Sequence, residues 1–265
     1  RGKSVVLIDR RGAAEETSYG NAGLIQREGV FPYGFPHDFG ALFRYALNNT
    51  IDAHYHPSAI PGIIPFLARY WWHSGFRQHQ SIAHLYAPLI ENSISEHADL
   101  IAASGADDLI RKDGWMKVFR SEKERDKAYA EAEKLSANFG VNHQKLTSAE
   151  VAAAEPHIRA ELTGGLRWTD PWSILDPQSL LKRYLAYFQS LGGQLKSGDA
   201  ATIEHVLEGE GWRVATPEGP LEARDVVVAL GPWADTVTRK LGYRFPLAVK
   251  RGYHMHYGAE EGATL

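Results

Sequence analysis

Apolar residues along this chain fall into two patterns: short unbroken runs, and longer stripes at helical spacing. Val5, Val6, Leu7 and Ile8 form a run rich in β-branched residues that ends on Asp9. That is the pattern of a strand buried on both faces of a parallel sheet. A second such run, Val226, Val227, Val228, Ala229 and Leu230, ends on Gly231 and Pro232, where a helix can begin. Residues 115–119 and 162–168 read as further strands, and 200–216 as strands around a turn at 208–211. Ile82, Leu85, Leu89, Ile90, Ile94 and Ala98 recur at helical spacing, with a stop near Gly105. Ser121 with Glu124, and Thr147 with Glu150, have the spacing of a capping box. They predict a helix over 122–138 with Ala128, Leu135 and Phe139 inward, and a shorter one that Pro156 ends. Asp176 before Pro177 predicts an N-cap and first helical residue, with Leu181, Tyr184, Leu185 and Phe188 on the packed face and Gly192 and Gly193 as the stop. The succession is that of an α/β protein with a mostly helical stretch over 80–155.

Two stretches break the pattern. Residues 28–61 are dense in Gly, Pro, His and aromatics and read as an ordered, packed loop. Within it His54 and His56 form an H-x-H pair with no acid cluster nearby, so packing is preferred to metal ligation. Residues 60–76 are the most apolar and aromatic of the chain, and two prolines make them too short and kinked to span a bilayer. A buried helical segment is expected there. The second reading is a peripheral membrane face with Trp71 and Trp72 at the interface.

Composition narrows the classes. The 265 residues are enough for one large or two modest domains. A formal net charge of −3 supplies no basic field, which argues against nucleic acid as a partner. With no cysteine, disulfides, thiolate catalysis and zinc–thiolate sites are excluded. No Ser/His/Asp nucleophile pattern is apparent, and no resident metal is expected.

The chemistry concentrates near the start. Asp9 stands at the carboxyl end of an apolar strand, where open α/β sheets bind ligands and where an acid can hold an adenosine ribose. The glycine-rich turn usual about 20 residues before such an acid has no room upstream, so the chain is expected to open inside its own nucleotide-binding unit. Thr17, Ser18, Tyr19, Gly20, Asn21, Ala22 and Gly23 follow. Glycines permit close backbone approach, and exposed N–H groups in such a loop suit phosphate oxygens.

I-D-R, a spacer, then E-T-S-x-x-N-A-G-L-I resembles the FAD-dependent D-amino acid oxidase-like superfamily, and within it the bacterial D-amino acid dehydrogenase small subunits. T-G-G-L at 163–166 followed by the D-P helix start at Asp176, and V-V-x-A-x-G-x-W at 226–233, continue the likeness in the same order. The resemblance implies a Rossmann-like FAD-binding domain of glutathione reductase type over 1–50 and 155–240. It implies a helical insertion over 51–154, and an α+β substrate domain to which 160–170 and 241–265 contribute, the whole incomplete at both termini. Asp9 and Arg10 would serve the adenosine half. Thr17, Ser18, Asn21, Ala22, Gly23 and Leu24 would serve the pyrophosphate and flavin half, with Ala200 near the adenine and Gly231 and Trp233 in a turn packed on FAD. P-x-x-x-x-R-G-Y at 246–253 is similar to the family's entry into a substrate strand, with His254 and His256 on one face of it.

The activity so implied is oxidative deamination of a D-amino acid to a 2-oxo acid and ammonia, with hydride passing to flavin N5 and electrons onward to an acceptor such as a quinone. Tyr253, Asp170 and His56 are the candidate substrate contacts, Asp170 facing the substrate ammonium or serving as a turn residue. The expected location is the cytoplasm, with peripheral contact on the inner face of the membrane as the variant. Three alternatives stay open: a related flavoenzyme acting on glycine, sarcosine, proline or 2-hydroxy acids; a nicotinamide enzyme, against which the N-A-G-L loop argues; and a fragment that turns nothing over.

Overall fold

Helical stripes and short apolar runs both become regular elements, but not always where the pattern alone puts them. The computed structural model describes residues 2–48, 54–206, 211–247, 252–255 and 258. In chain order the elements are β1 (Val6–Asp9), β2 (Leu24–Ile25), α1 (Phe39–Ala46), α2 (Ile60–His73), α3 (Phe76–Glu91), α4 (Ser93–Ser104), β3 (Ile110–Arg111), β4 (Trp115–Phe119), α5 (Glu122–Phe139) and β5 (His143–Leu146). Then come α6 (Ser148–Ala154), β6 (Gly164–Trp168), β7 (Trp172–Ile174), α7 (Pro177–Ser190), β8 (Gln194–Ser197), β9 (Glu204–His205), β10 (Trp212–Thr216), β11 (Gly219–Ala223) and α8 (Ala234–Thr238). The chain divides into two units, one of Arg1–Ala22, Leu100–Leu109 and Asp176–Leu265, the other of Gly23–Asp99 and Ile110–Leu175.

In the first unit β1 pairs in parallel with β8, setting Leu7 opposite Leu195 and Asp9 opposite Ser197. A separate antiparallel sheet runs β11-β10-β9. Ile203, Val214 and Val237 form the buried cluster, with Ile8, Ala200, Trp212, Val228, Leu230 and Leu241 packed on it. The residues of β1 are not buried on both faces as the run predicted: Val5 is 50% and Leu7 45% exposed, while Val6 and Ile8 are half-buried. A two-stranded ribbon has one packed face, so alternate side chains go to the core and the others to solvent. The same reason corrects residues 226–230. They find no ladder partner among the described residues and form no strand, yet Val228 and Leu230 turn inward while Val227 is 86% exposed.

Helix α7 starts as expected. The Asp176 carboxylate accepts the N–H groups of Gln178 (3.0 Å) and Ser179 (3.1 Å) and the Ser179 hydroxyl (2.6 Å). Tyr184, Leu185 and Phe188 of the expected face are half-buried, but Leu180 is buried in place of Leu181, which is exposed. The turn at 208–211 lies largely outside the described residues, as do Lys250, Arg251 and His256 of the expected substrate strand.

In the second unit the antiparallel sheet β4-β6-β5 aligns Trp115 with Trp168 and Lys145 with Leu166. Val30, Ala83, Ala87, Phe119, Ala132, Phe139, Val141, Leu166 and Trp168 form its core. The T-G-G-L glycines have a packing reason. A Cβ on Gly165 would stand 2.8 Å from Val151 Cγ2 of α6, and one on Gly164 2.6 Å from the Leu146 carbonyl oxygen. Glu28 is buried with both oxygens satisfied, by the Trp115 indole N–H (2.8 Å) and the Arg27 N–H (3.0 Å).

Several expectations are corrected in this unit. Thr147 and Glu150 form the full capping box, but Ser121 makes no side-chain cap bond, and the first turn of α5 closes through the Arg125 N–H on the Ser121 carbonyl (3.1 Å). The stripe from Ile82 is two helices, not one. Pro88 supplies no N–H to the turn before it, and the Asn92 amide bonds the Pro88 carbonyl (2.9 Å) where α3 ends. The loop over 28–61 contains a helix, α1, capped by Asp38 on the Ala41 N–H (2.7 Å). Residues 60–73 are helical, as expected, but α2 has no buried residue.

Leu180→Ala should cost about 2–5 kcal/mol and Leu181→Ala less than about 1 kcal/mol in urea unfolding, since only the first leaves a cavity. The Ser179 hydroxyl, and then the N–H groups, hold the Asp176 carboxyl below the usual carboxylate range. A depressed pKa contributes stability above the unfolded value and loses it as pH falls through the folded one. Asp176→Asn should therefore flatten the pH dependence of unfolding below about pH 4, measured by urea titration across pH.

Candidate cofactor site

The first unit brings together most of the residues read as cofactor ligands. Asp9 closes β1 at the carboxyl end of a parallel pair, and its Oδ1 accepts the N–H groups of Arg11 (2.8 Å) and Gly12 (2.9 Å). The turn so formed holds the carboxylate in place. Oδ2 makes no hydrogen bond to a described residue and is free to accept from a ligand hydroxyl. On the other side Gly198 donates its N–H to the Asp9 carbonyl at 3.2 Å. A Cβ on Gly198 would come within 2.9 Å of Ile8, so this position too is restricted.

Arg10 is held twice. Its Nε and Nη2 reach Glu16 Oε1 at 3.2 and 3.0 Å, and its guanidinium lies 5.0 Å from the Trp233 ring centroid. Arg11 shares the same Glu16 oxygen at 3.1 Å. Lys3 meets Asp225 at 2.7 Å, and this partner holds the Asp225 carboxyl below its usual range. Lys3 with Asp225, Ile8 with the cluster that Val228 joins, and Arg10 with Trp233 ascend together along both segments. The two runs therefore lie side by side and point the same way, although no ladder joins 226–230 to a neighbour among the described residues. Gly231, with φ +51° and open space where a Cβ would stand, turns the chain into the short 3-10 segment that carries Trp233.

The loop after Arg10 is a string of turns. The Tyr19 N–H bonds the Glu16 carbonyl at 3.2 Å and the Asn21 N–H the Ser18 carbonyl at 3.4 Å. The N–H groups of Thr17, Ser18, Gly20 and Ala22 find no acceptor among the described residues, which is the donor set an anionic ligand needs. Gly20 has φ +74° and lies directly against the His254 ring, leaving no space for a Cβ. Asn21 and Ala22 are exposed. Ala200 opens a 3-10 turn capped by Asp199 and packs on the same cluster as Ile8.

Gly23 and Leu24 belong to the second unit, where Gly23 accepts the Ile174 N–H at 2.6 Å and Leu24 pairs with Ser173. The three substrate-contact candidates fall in different units. Tyr253 is an exposed residue of the first unit. In the second unit, Asp170 gives both oxygens to Asn142, at 2.7 Å to its N–H and 2.8 Å to its side-chain amide. His56, also there, precedes the 3-10 turn Pro57–Ala59 and is exposed. No group of metal-binding side chains occurs among the described residues.

Glu16 and Gly198 are site residues that periodicity did not single out. The signal for Glu16 was the Arg10-Arg11 and Glu15-Glu16 doublets facing across one short loop. Gly198 had only its place after a polar strand end.

The family described as DAO, FAD dependent oxidoreductase, matches residues 1–264. A D-amino acid dehydrogenase of Cereibacter sphaeroides is 30% identical over 95% of this chain and 58% of its own length. One of Methylobacterium radiotolerans is 27% identical over 96% of the chain and 61% of its own. The chain thus spans about three-fifths of these relatives. Glycine oxidase from Geobacillus kaustophilus shares the fold at a TM-score of 0.57 and 20% identity, over 90% of this chain and 52% of that one. L-amino acid deaminase from Proteus vulgaris does so at 0.56 and 17%, over 92% and 45%.

The first unit's donors and acceptors fit the adenosine and pyrophosphate parts of FAD: an open carboxylate oxygen for a ribose diol and unengaged loop N–H groups for phosphate. Asp9→Asn should weaken FAD binding by roughly 10- to 100-fold, the loss of a hydrogen bond to a charged acceptor, read by flavin fluorescence titration. Equal affinity in the variant would remove Asp9 from the site.

Proposed function

Because the chain belongs to the FAD dependent oxidoreductase family DAO, we propose that it serves the oxidative deamination of D-amino acids to 2-oxo acids and ammonia. The observation that carries this reading is the likeness to D-amino acid dehydrogenases over nearly the whole chain, at 30% identity in the first relative named above. Glycine oxidase and L-amino acid deaminase, both under 25% identical, share the fold and select no substrate.

When bound, FAD supplies the two-electron acceptor for hydride from the substrate α-carbon, after which water releases the imino acid as 2-oxo acid and ammonia. The chain's own residues bind and orient. Asp9, fixed by two backbone N–H groups, presents its second oxygen to the ribose. Arg10, pinned between Glu16 and Trp233, fixes the direction in which the loop leaves β1. Thr17, Ser18, Gly20 and Ala22 offer N–H groups to the pyrophosphate, where backbone donors cost no side-chain entropy. Electrons pass onward to an acceptor such as a quinone.

The test is anaerobic. With FAD bound, D-amino acids should bleach the flavin absorbance, while L-amino acids, glycine, sarcosine and 2-hydroxy acids do so at least about tenfold more slowly. Bleaching by one of those other classes in preference to D-amino acids would overturn the substrate assignment and leave the flavin assignment standing.

A further inference from the structure

The loop over 16–22 has a partner that comes from far along the chain. Residues 252–255 form no strand or helix, and Tyr253 and Met255 are 93% and 74% exposed. Between them His254 is laid against the loop, within the same unit. A Cβ on Gly20 would collide with Cε1, Nδ1 and Nε2 of the His254 ring. The imidazole therefore meets the loop by the edge that carries both its nitrogens. The ring also stands edge-on to Tyr19, with centroids 5.6 Å apart and planes at 80°. Gly20 admits the ring because it has no side chain in the way, at a φ of +74° that other residues rarely adopt.

Apolar packing is a poor reason for this contact. Tyr19 and His254 are both exposed, so little apolar surface leaves the water. What the contact does is set a polar edge beside backbone N–H groups. Those of Thr17, Ser18, Gly20 and Ala22 have no acceptor among the described residues. A row of donors and a ring that can also donate stand together, and an anionic oxygen between them would satisfy both.

Charge narrows the ligand. Over residues 9–22 three carboxylates, Asp9, Glu15 and Glu16, outnumber two guanidiniums, Arg10 and Arg11. Both guanidiniums are drawn to Glu16, at 3.0 and 3.1 Å. A pyrophosphate brings further negative charge to a segment that already has an excess of it. Backbone N–H groups offer dipoles but no net charge, so a cation from outside the loop is needed for balance. His254 is seated on the loop and can become one.

We propose that His254 is a ligand of the FAD pyrophosphate, its protonated ring donating to a phosphate oxygen that the loop N–H groups also hold. The proposal rests on the reading of the first unit as the FAD site. It adds to that site a residue from a segment remote in sequence, and it leaves the adenosine end to Asp9.

The test compares His254→Phe with His254→Arg in the 265-residue chain. Phenylalanine keeps a ring against Gly20 and Tyr19 but has no N–H, whereas arginine restores a cation and donors. FAD affinity, read by flavin fluorescence titration, should fall roughly 10- to 100-fold in H254F, the factor for losing a charge-assisted hydrogen bond. H254R should recover most of that loss. Calorimetry on FAD-free protein should show ADP, which keeps the phosphates, weakened by a similar factor in H254F, and adenosine unchanged. The phosphorus resonances of bound FAD should differ between the parent and H254F. Unfolding midpoints of the FAD-free parent and variants should coincide. Parental FAD affinity in H254F overturns the proposal and leaves the cofactor assignment standing. So does a loss that H254R does not recover, or one that is equal for ADP and adenosine, which would make His254 a packing residue of the loop. Absence of FAD binding by the parent would overturn the proposal together with the cofactor reading.

Discussion

The parallel pairing of β1 with β8 is the constraint on which the cofactor site depends. It fixes Asp9 opposite Ser197, so the strand ends together with its neighbour and the chain must leave the sheet at that point. The carboxylate then turns back on its own backbone, accepting from Arg11 and Gly12, and one oxygen is left unengaged. Ile8, one residue earlier, is anchored in the cluster of Ile203, Val214 and Val237. The position of the acid is thus set by apolar packing on one side and by strand register on the other. Neither contact involves a ligand, so the fold alone holds the Asp9 carboxylate in place.

Charge fastens the neighbouring segment at both ends. Lys3 meets Asp225 and Arg10 lies over Trp233, so 225–233 runs beside 3–10 in the same direction. These exposed pairs are individually weak, as surface ion pairs are. Their effect here is geometric, since they align two extended segments that share a hydrophobic cluster but exchange no ladder hydrogen bonds. Gly231 sits at the end of this alignment with nothing over its Cα, as a backbone approached by a ligand requires.

The second unit shows a different economy. Its antiparallel sheet is packed so closely that Gly165 is required by Val151 of α6 and Gly164 by the Leu146 carbonyl of β5, and the T-G-G-L pattern has a steric origin independent of any ligand. Glu28 is buried only because Trp115 and the Arg27 backbone satisfy it. Helices α1 and α2, by contrast, bury none of their residues.

How far the sequence reached varies with the physics at each position. Local rules held where they were sufficient: Asp176 before Pro177 starts α7, Thr147 and Glu150 close a capping box, and Asp9 ends the opening strand with Arg10 beside it. The turns over 17–23 were legible because glycines at 20 and 23 adopt positive φ, which few other residues do without strain. Tertiary structure decided what depends on neighbours. The same capping spacing at Ser121 stayed unused, Leu180 and not Leu181 took the core, and β1 packed one face because its ribbon has only one covered side. Residues 226–230 have a strand's alternation without its hydrogen bonds, since a ladder needs a partner that composition cannot announce. For Trp71 and Trp72 the sequence left open both a buried segment and an exposed face. Only the arrangement of the helices showed that their stripe faces outward, because burial belongs to the pair of surfaces in contact and not to a side chain alone.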